Sequence, residues 1–82
     1  MRRDEAAYRG YVHARLEHLR RSAYLLCRDW NIVDDLVAIT IGKLYRHWRR
    51  AQQAANLDAY VHGILTHFRQ LKAIALDPRF AV

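Results

Sequence analysis

The run Tyr45-Arg-His-Trp-Arg-Arg50 offers the clearest chemistry in this sequence. Single-stranded nucleic acid wants aromatic faces for its bases and cations for its phosphates, and stacking is worth roughly 1–3 kcal/mol per base. A second set, Tyr60, His62, His67, Arg69 and Lys72, follows further along the chain. The competing reading makes Trp48 and Tyr60 core residues and leaves the arginines merely solvated. Trp48 continues an apolar stripe, which favours the core, whereas the Arg49-Arg50 pair favours nucleic acid.

Other reactive side chains are poorly placed for catalysis or metal binding. A helical metal site wants ligands three or four residues apart. His13 and His18 are five apart, as are His62 and His67, so no metal is expected. His13 and Glu17 are four apart, a common pairing on solvated helices. Ser22, the only serine, lies mid-helix with nothing to activate it. Asp34 and Asp35 are adjacent, so on a helix they point in different directions and make a poor acid–base pair. No glycine-rich phosphate loop is present. No set of residues supplies nucleophile, base and charge stabiliser together, so neither an enzyme nor a cofactor is expected.

Size and composition narrow the class. Eighty-two residues make one small domain. A 52% hydrophobic and 27% charged composition argues against disorder. Three glycines and one proline imply few turns and long helices. A net charge of +6 calls for an anionic partner, nucleic acid first, then an acidic protein or membrane surface. Cys27 is the only cysteine, which excludes an internal disulfide and fits a reducing, cytoplasmic setting. It is expected to be a buried, inert thiol beside Ala23 and Trp30. Met1-Arg-Arg is followed by Asp4 and Glu5 rather than an apolar core, so no signal peptide is expected, and no apolar run could span a membrane.

The elements that must position these groups read as three helices around one core, an all-α three-helix bundle. The first is expected from about Glu5 to Arg28, with Tyr8, Val12, Leu16, Leu19, Ala23, Leu26, Cys27 and Trp30 on one face. Gly10 weakens it by about 1 kcal/mol relative to Ala. The second begins after Asn31 as N-cap, with Asp34 at the third helical position and both Asp34 and Asp35 opposing the positive end of the dipole. Its stripe is Val33, Leu36, Val37, Thr40, Ile41, Leu44 and Trp48, and Ile39 falls off it, exposed. Lys43, Arg46, Arg49 and Arg50 suit its C-terminal end. Residues 51–55 either extend this helix or turn. Asn56 caps the third helix, Leu57 to about Leu76, whose face is Tyr60, Val61, Ile64, Leu65, Phe68 and Leu71. Asp77-Pro78 ends it and residues 79–82 form a short tail.

Four segments, in order, carry a resemblance. They are Arg20-Arg-Ser-Ala-Tyr-Leu-Leu-Cys-Arg-Asp29, Asp34-Asp-Leu-Val37, Lys43-Leu-Tyr-Arg-His-Trp-Arg-Arg50 and Asn56-Leu-Asp-Ala-Tyr-Val-His-Gly-Ile-Leu65. Together they resemble domain two of extracytoplasmic-function sigma factors, particularly the actinobacterial type, over about residues 8 to 67. The resemblance implies a transcription-initiation module. Asp34, Asp35, Leu36, Val37, Ile39 and Lys43 would bind the clamp helices of the RNA polymerase largest subunit. Arg46, Arg49, Arg50, Asn56, Tyr60, His62, His67, Arg69 and Lys72 would hold the melted non-template strand of the promoter minus-ten element. Residues 51–58 would match the loop that captures a flipped base, and an anti-sigma protein is a further partner of the class. Ala38 stands where the family usually has Gln. His67 and Leu71 stand where it has Asn and Asp. The domain that reads the minus-thirty-five element has no counterpart here.

Two other readings stand beside this one. A decoy or co-regulator would keep the protein contact and lack promoter reading. A generic basic binder would take duplexes with steep salt dependence. Ile39, Ile74, Leu76 and Phe80, if uncovered, leave room for self-association.

Overall fold

The computed structural model describes the backbone of residues 3–76 and the side chains of residues 4–71. The chain is a small all-α bundle of four helices: α1 (Arg3–Cys27), α2 (Trp30–Arg46), α3 (Trp48–Gln52) and α4 (Leu57–Leu76). The three long helices match the expected ones. Their junctions differ.

α1 ends because Arg28 turns into the left-handed region, φ 57°, while its N–H donates to Tyr24 O at 2.6 Å. Asp29 is then extended, and its side chain accepts the Asn31 N–H at 2.9 Å. Its carbonyl accepts the Ile32 and Val33 N–H groups. Asp29 is therefore the N-cap of α2, and Asn31 lies inside the helix. This corrects the expected start by two residues. Asp34 and Asp35 fall beyond the first turn, too far along to oppose the dipole there. Trp30 opens α2 instead of closing α1, and it is half-exposed.

α2 bends out of register at His47, whose N–H is shared between Lys43 O and Leu44 O, both at 3.2 Å. α3 resumes at Trp48 and stops at Gln52, so residues 51–55 are part helix and part turn. Asn56 caps α4 as expected, its Oδ1 accepting the Ala59 N–H at 3.0 Å.

One core joins all four helices. α1 contributes Leu19 and Ala23, and α2 contributes Val33, Leu36, Val37, Thr40 and Leu44. α3 adds Trp48 and Ala51, and α4 adds Val61 and Leu65. Each large apolar side chain buried here stabilises the fold by about 1.5–3 kcal/mol relative to exposure. The buried α2 residues follow the expected stripe, with Ile41 half-buried at its edge. Leu16 and Leu71 were expected on core faces and are exposed, because a full helical face is wider than the arc two neighbouring helices cover. Cys27 is half-buried, with its thiol 3.4 Å from Asp29 O at the α1–α2 turn. The Asp77-Pro78 stop, and the expected exposure of Ile74, Leu76 and Phe80, lie outside the described residues. Among those described, no helix is long and apolar enough to cross a membrane.

Candidate nucleic-acid and protein interfaces

The packing of α2 decides which residues a partner can reach. Leu36 is 0% exposed and Val37 5%, both in the core. They cannot face a clamp helix, which corrects that part of the expected protein contact. The reachable surface of the same turns is Asp34, Asp35, Ala38 and Ile39, followed by Lys43. Asp34 lies 3.4 Å from the Arg20 guanidinium, which also reaches toward Glu17 at 3.7 Å. Arg20 sits 5.6 Å over the Trp30 ring, and Trp30 stacks on Tyr24 with centroids 4.4 Å apart. Ile39, Gly42, Lys43, Arg46 and Phe68 border an open hollow of about 460 Å³.

The cationic end is built at the α2–α3 junction. The break at His47 puts Arg46 on the last turn of α2 and Arg49 and Arg50 on α3, all exposed. Trp48 turns inward instead. It is 7% exposed, with Tyr8 edge-on at 5.6 Å and Tyr11 tilted at 6.0 Å. It is a core residue and no base can stack on it. Tyr45 takes the exposed aromatic place, packed edge-on against Tyr8 at 5.0 Å. Burial, then the neighbouring Tyr45, raises the Tyr8 pKa above its ordinary value. The Tyr8 hydroxyl donates to Ile41 O at 2.8 Å and so ties α1 to α2.

Tyr8, Tyr45, Arg46, Trp48, Arg49 and Arg50 line a cleft of about 420 Å³ that the start of α1 closes with two carboxylates. Asp4 Oδ2 lies 3.7 Å from Arg49 Nε, and the Tyr45 hydroxyl donates to Glu5 Oε1 at 3.2 Å. No family model, no curated protein and no solved structure matches the chain.

The α4 candidates do not form one patch with the cleft. Asn56 spends its amide oxygen on the cap, and Tyr60 is half-buried against the core. His62 is exposed beside a crevice with Arg15, His18 and Asp58, on the α1-facing side. His67 is exposed and edge-on to Phe68 at 5.4 Å. Arg69 turns inward and donates from Nε to Leu26 O at 3.1 Å, holding α4 to the end of α1. The Lys72 side chain lies outside the described residues. Among the described residues, no three His, Cys, Asp or Glu side chains converge as a metal site would need.

Local spacing did not point to Asp4 and Glu5 as cleft residues, because they meet Arg49 and Tyr45 across 45 and 40 positions. The contacts of Tyr11 and Arg15 with Asp58 span 47 and 43 positions and leave no trace in local spacing either. The Tyr11 hydroxyl donates to Asp58 Oδ1 at 2.7 Å, and Arg15 donates to both oxygens of that carboxylate. The Arg15 hydrogen bond, then that of Tyr11, holds the Asp58 carboxyl below its ordinary pKa. Burial and the carboxylate push the Tyr11 hydroxyl up to about 12.

Proposed function

We propose that this chain is a transcription-initiation module resembling domain two of extracytoplasmic-function sigma factors. In this reading it binds the RNA polymerase clamp helices and the melted minus-ten strand. The observation that supports it best is the division of exposed residues along α2 and α3. Asp34, Asp35, Ala38 and Ile39 form an acidic and apolar end, and Lys43, Arg46, Arg49 and Arg50 form a cationic end. The first suits a protein contact with basic residues at its rim. The second suits a phosphate backbone, which rewards clustered arginine.

A second reading is an interaction protein that keeps the clamp contact and lacks promoter selectivity. Arg69 favours it, because its Nε is bonded inward to Leu26 O, which ties one of the residues expected at the strand to the fold.

The test is binding of the purified chain to a clamp-helix fragment, with and without a minus-ten single strand. Asp35→Lys and Ile39→Glu change only exposed side chains. Under either reading each weakens clamp binding about tenfold or more. Unchanged affinity in both variants defeats the clamp contact. Selective capture of the minus-ten strand decides for the module, and clamp binding alone decides for the interaction protein.

A further inference from the structure

We propose that the cleft between the start of α1 and the α2–α3 junction is a guanine-selective nucleotide site. The proposal rests on the single-strand reading above and gives it a base preference. The cleft, at about 420 Å³, falls within the usual size of small-ligand sites, about 300–1,000 Å³.

Its cationic wall is ready for a phosphate. Arg46 and Arg50 are exposed and pair with no described side chain. A guanidinium meets a phosphate with two parallel donors. The opposite wall carries Asp4 and Glu5, which a site for phosphate alone would not want, since like charges repel. Ionised carboxylates only accept hydrogen bonds, so this wall selects a ligand that brings donors.

Among the bases, guanine alone has two adjacent donors on its pairing edge, N1–H and the N2 amino group. Both oxygens of one carboxylate can accept them. Adenine and cytosine place an acceptor beside their amino group, and thymine flanks its N3–H with two acceptors. The mismatch leaves an acceptor facing a carboxylate oxygen, which costs affinity.

Glu5 is the better reader of the two. Asp4 is engaged by Arg49, whereas the Tyr45 hydroxyl holds one Glu5 oxygen at 3.2 Å and fixes the group. Tyr45 is 52% exposed and braced by Tyr8, so it forms a steady wall beside the base. The nucleotide would lie with its phosphate on Arg46 and Arg50, its ring along Tyr45 and its pairing edge on Glu5.

The experiment is fluorescence anisotropy with the full chain and labelled eight-nucleotide thymidine strands. One central position is guanine, hypoxanthine, adenine or thymine. The guanine strand is expected to bind at least about tenfold tighter than the thymine strand, with hypoxanthine between them because it lacks the N2 amino group. Glu5→Gln is expected to bring guanine within about twofold of thymine without weakening the thymine strand. Equal affinity for all four strands overturns the inference and leaves the single-strand reading in place. So does a guanine preference that survives Glu5→Gln, or a Glu5→Gln protein that binds every strand tighter by the same factor. Binding to no strand overturns both.

Discussion

Arg15 on α1 holds both oxygens of Asp58 in the first turn of α4, and the Tyr11 hydroxyl donates to the same carboxylate. Asp58 also lies where the α4 dipole favours negative charge. The folded carboxyl titrates below its ordinary value of 3.8, chiefly through the Arg15 hydrogen bond and then that of Tyr11. Its stabilisation is therefore complete above that ordinary value and is lost as pH falls through the lower folded one. Asp58→Asn is expected to be less stable than wild type at neutral pH, with the gap closing in strong acid. Tyr11 works in the opposite direction, because its hydroxyl is raised to about 12. Its contribution is present below the ordinary value of 10.0 and fades as pH rises toward 12. Tyr11→Phe is expected to cost about 1 kcal/mol at neutral pH and to flatten the alkaline arm of a stability–pH curve. Urea melts across the pH range check both.

Thr40 carries a cost at the centre of the fold. Its side chain is 0% exposed, and Oγ1 finds no hydrogen-bond partner. A buried hydroxyl without a partner costs about 1–3 kcal/mol, and Val has nearly the same shape without the polar atom. Thr40→Val is expected to raise stability by about 1 kcal/mol. A drop in the urea midpoint would show that the hydroxyl has a partner, such as a buried water.

Gly10 and Arg28 each occupy a backbone place better suited to a different residue. Gly10 lies inside α1, exposed, and a methyl group there would meet nothing within 4 Å. Gly10→Ala is expected to add about 0.5–1 kcal/mol. Arg28 holds φ at 57°, which costs a side-chain-bearing residue about 1–2 kcal/mol. Arg28→Gly is expected to recover about 0.5–1 kcal/mol of that, the rest being offset by glycine's freedom in the unfolded chain. Thermal melts of the two single variants and the double variant should show additive gains, because Gly10 lies in the first half of α1 and Arg28 just beyond its last residue.

Arg28 marks a place where local sequence rules stop. The α2 stripe, the Asn56 cap and the inward place of Trp48 all follow from local periodicity and capping chemistry. The α1–α2 junction does not, because an arginine in the left-handed region gives no signal of the kind a glycine would. Asp29 is as good an N-cap type as Asn31, so residue type alone does not distinguish the two starts. The cleft and the Arg15–Asp58 contact were invisible for a different reason. They join residues 40 or more positions apart, and spacing along one helix carries no record of which end of another helix lies opposite. The resemblance placed Leu36 and Val37 at a partner surface. Their burial puts them in the core instead, on the stripe that local periodicity already read as apolar.

Leu36 and Ile39 make that distinction measurable. Leu36 is fully buried and Ile39 is 39% exposed, three positions along the same helix. Leu36→Ala opens a cavity and is expected to cost about 2–5 kcal/mol, much of the stability of so small a bundle. Ile39→Ala is expected to stay within about 0.5 kcal/mol of wild type in urea melts. Loss of clamp binding in Leu36→Ala would thus report unfolding, whereas loss in Ile39→Ala at full stability would report contact.

Salt dependence tests the cationic end without relying on any one affinity. Each phosphate neutralised on a single strand adds about 0.7 to the slope of log K against log salt. Arg50 is exposed and has no described partner, so Arg50→Ala should remove close to that amount from the slope and leave stability unchanged. Arg49 differs because Asp4 already sits beside it. A strand must displace that carboxylate, so Arg49→Ala should lower the slope less than Arg50→Ala does. Asp4→Asn should tighten binding at low salt by removing the competitor. Equal slopes for all three variants and wild type would mean that the strand, if bound, lies elsewhere on the molecule.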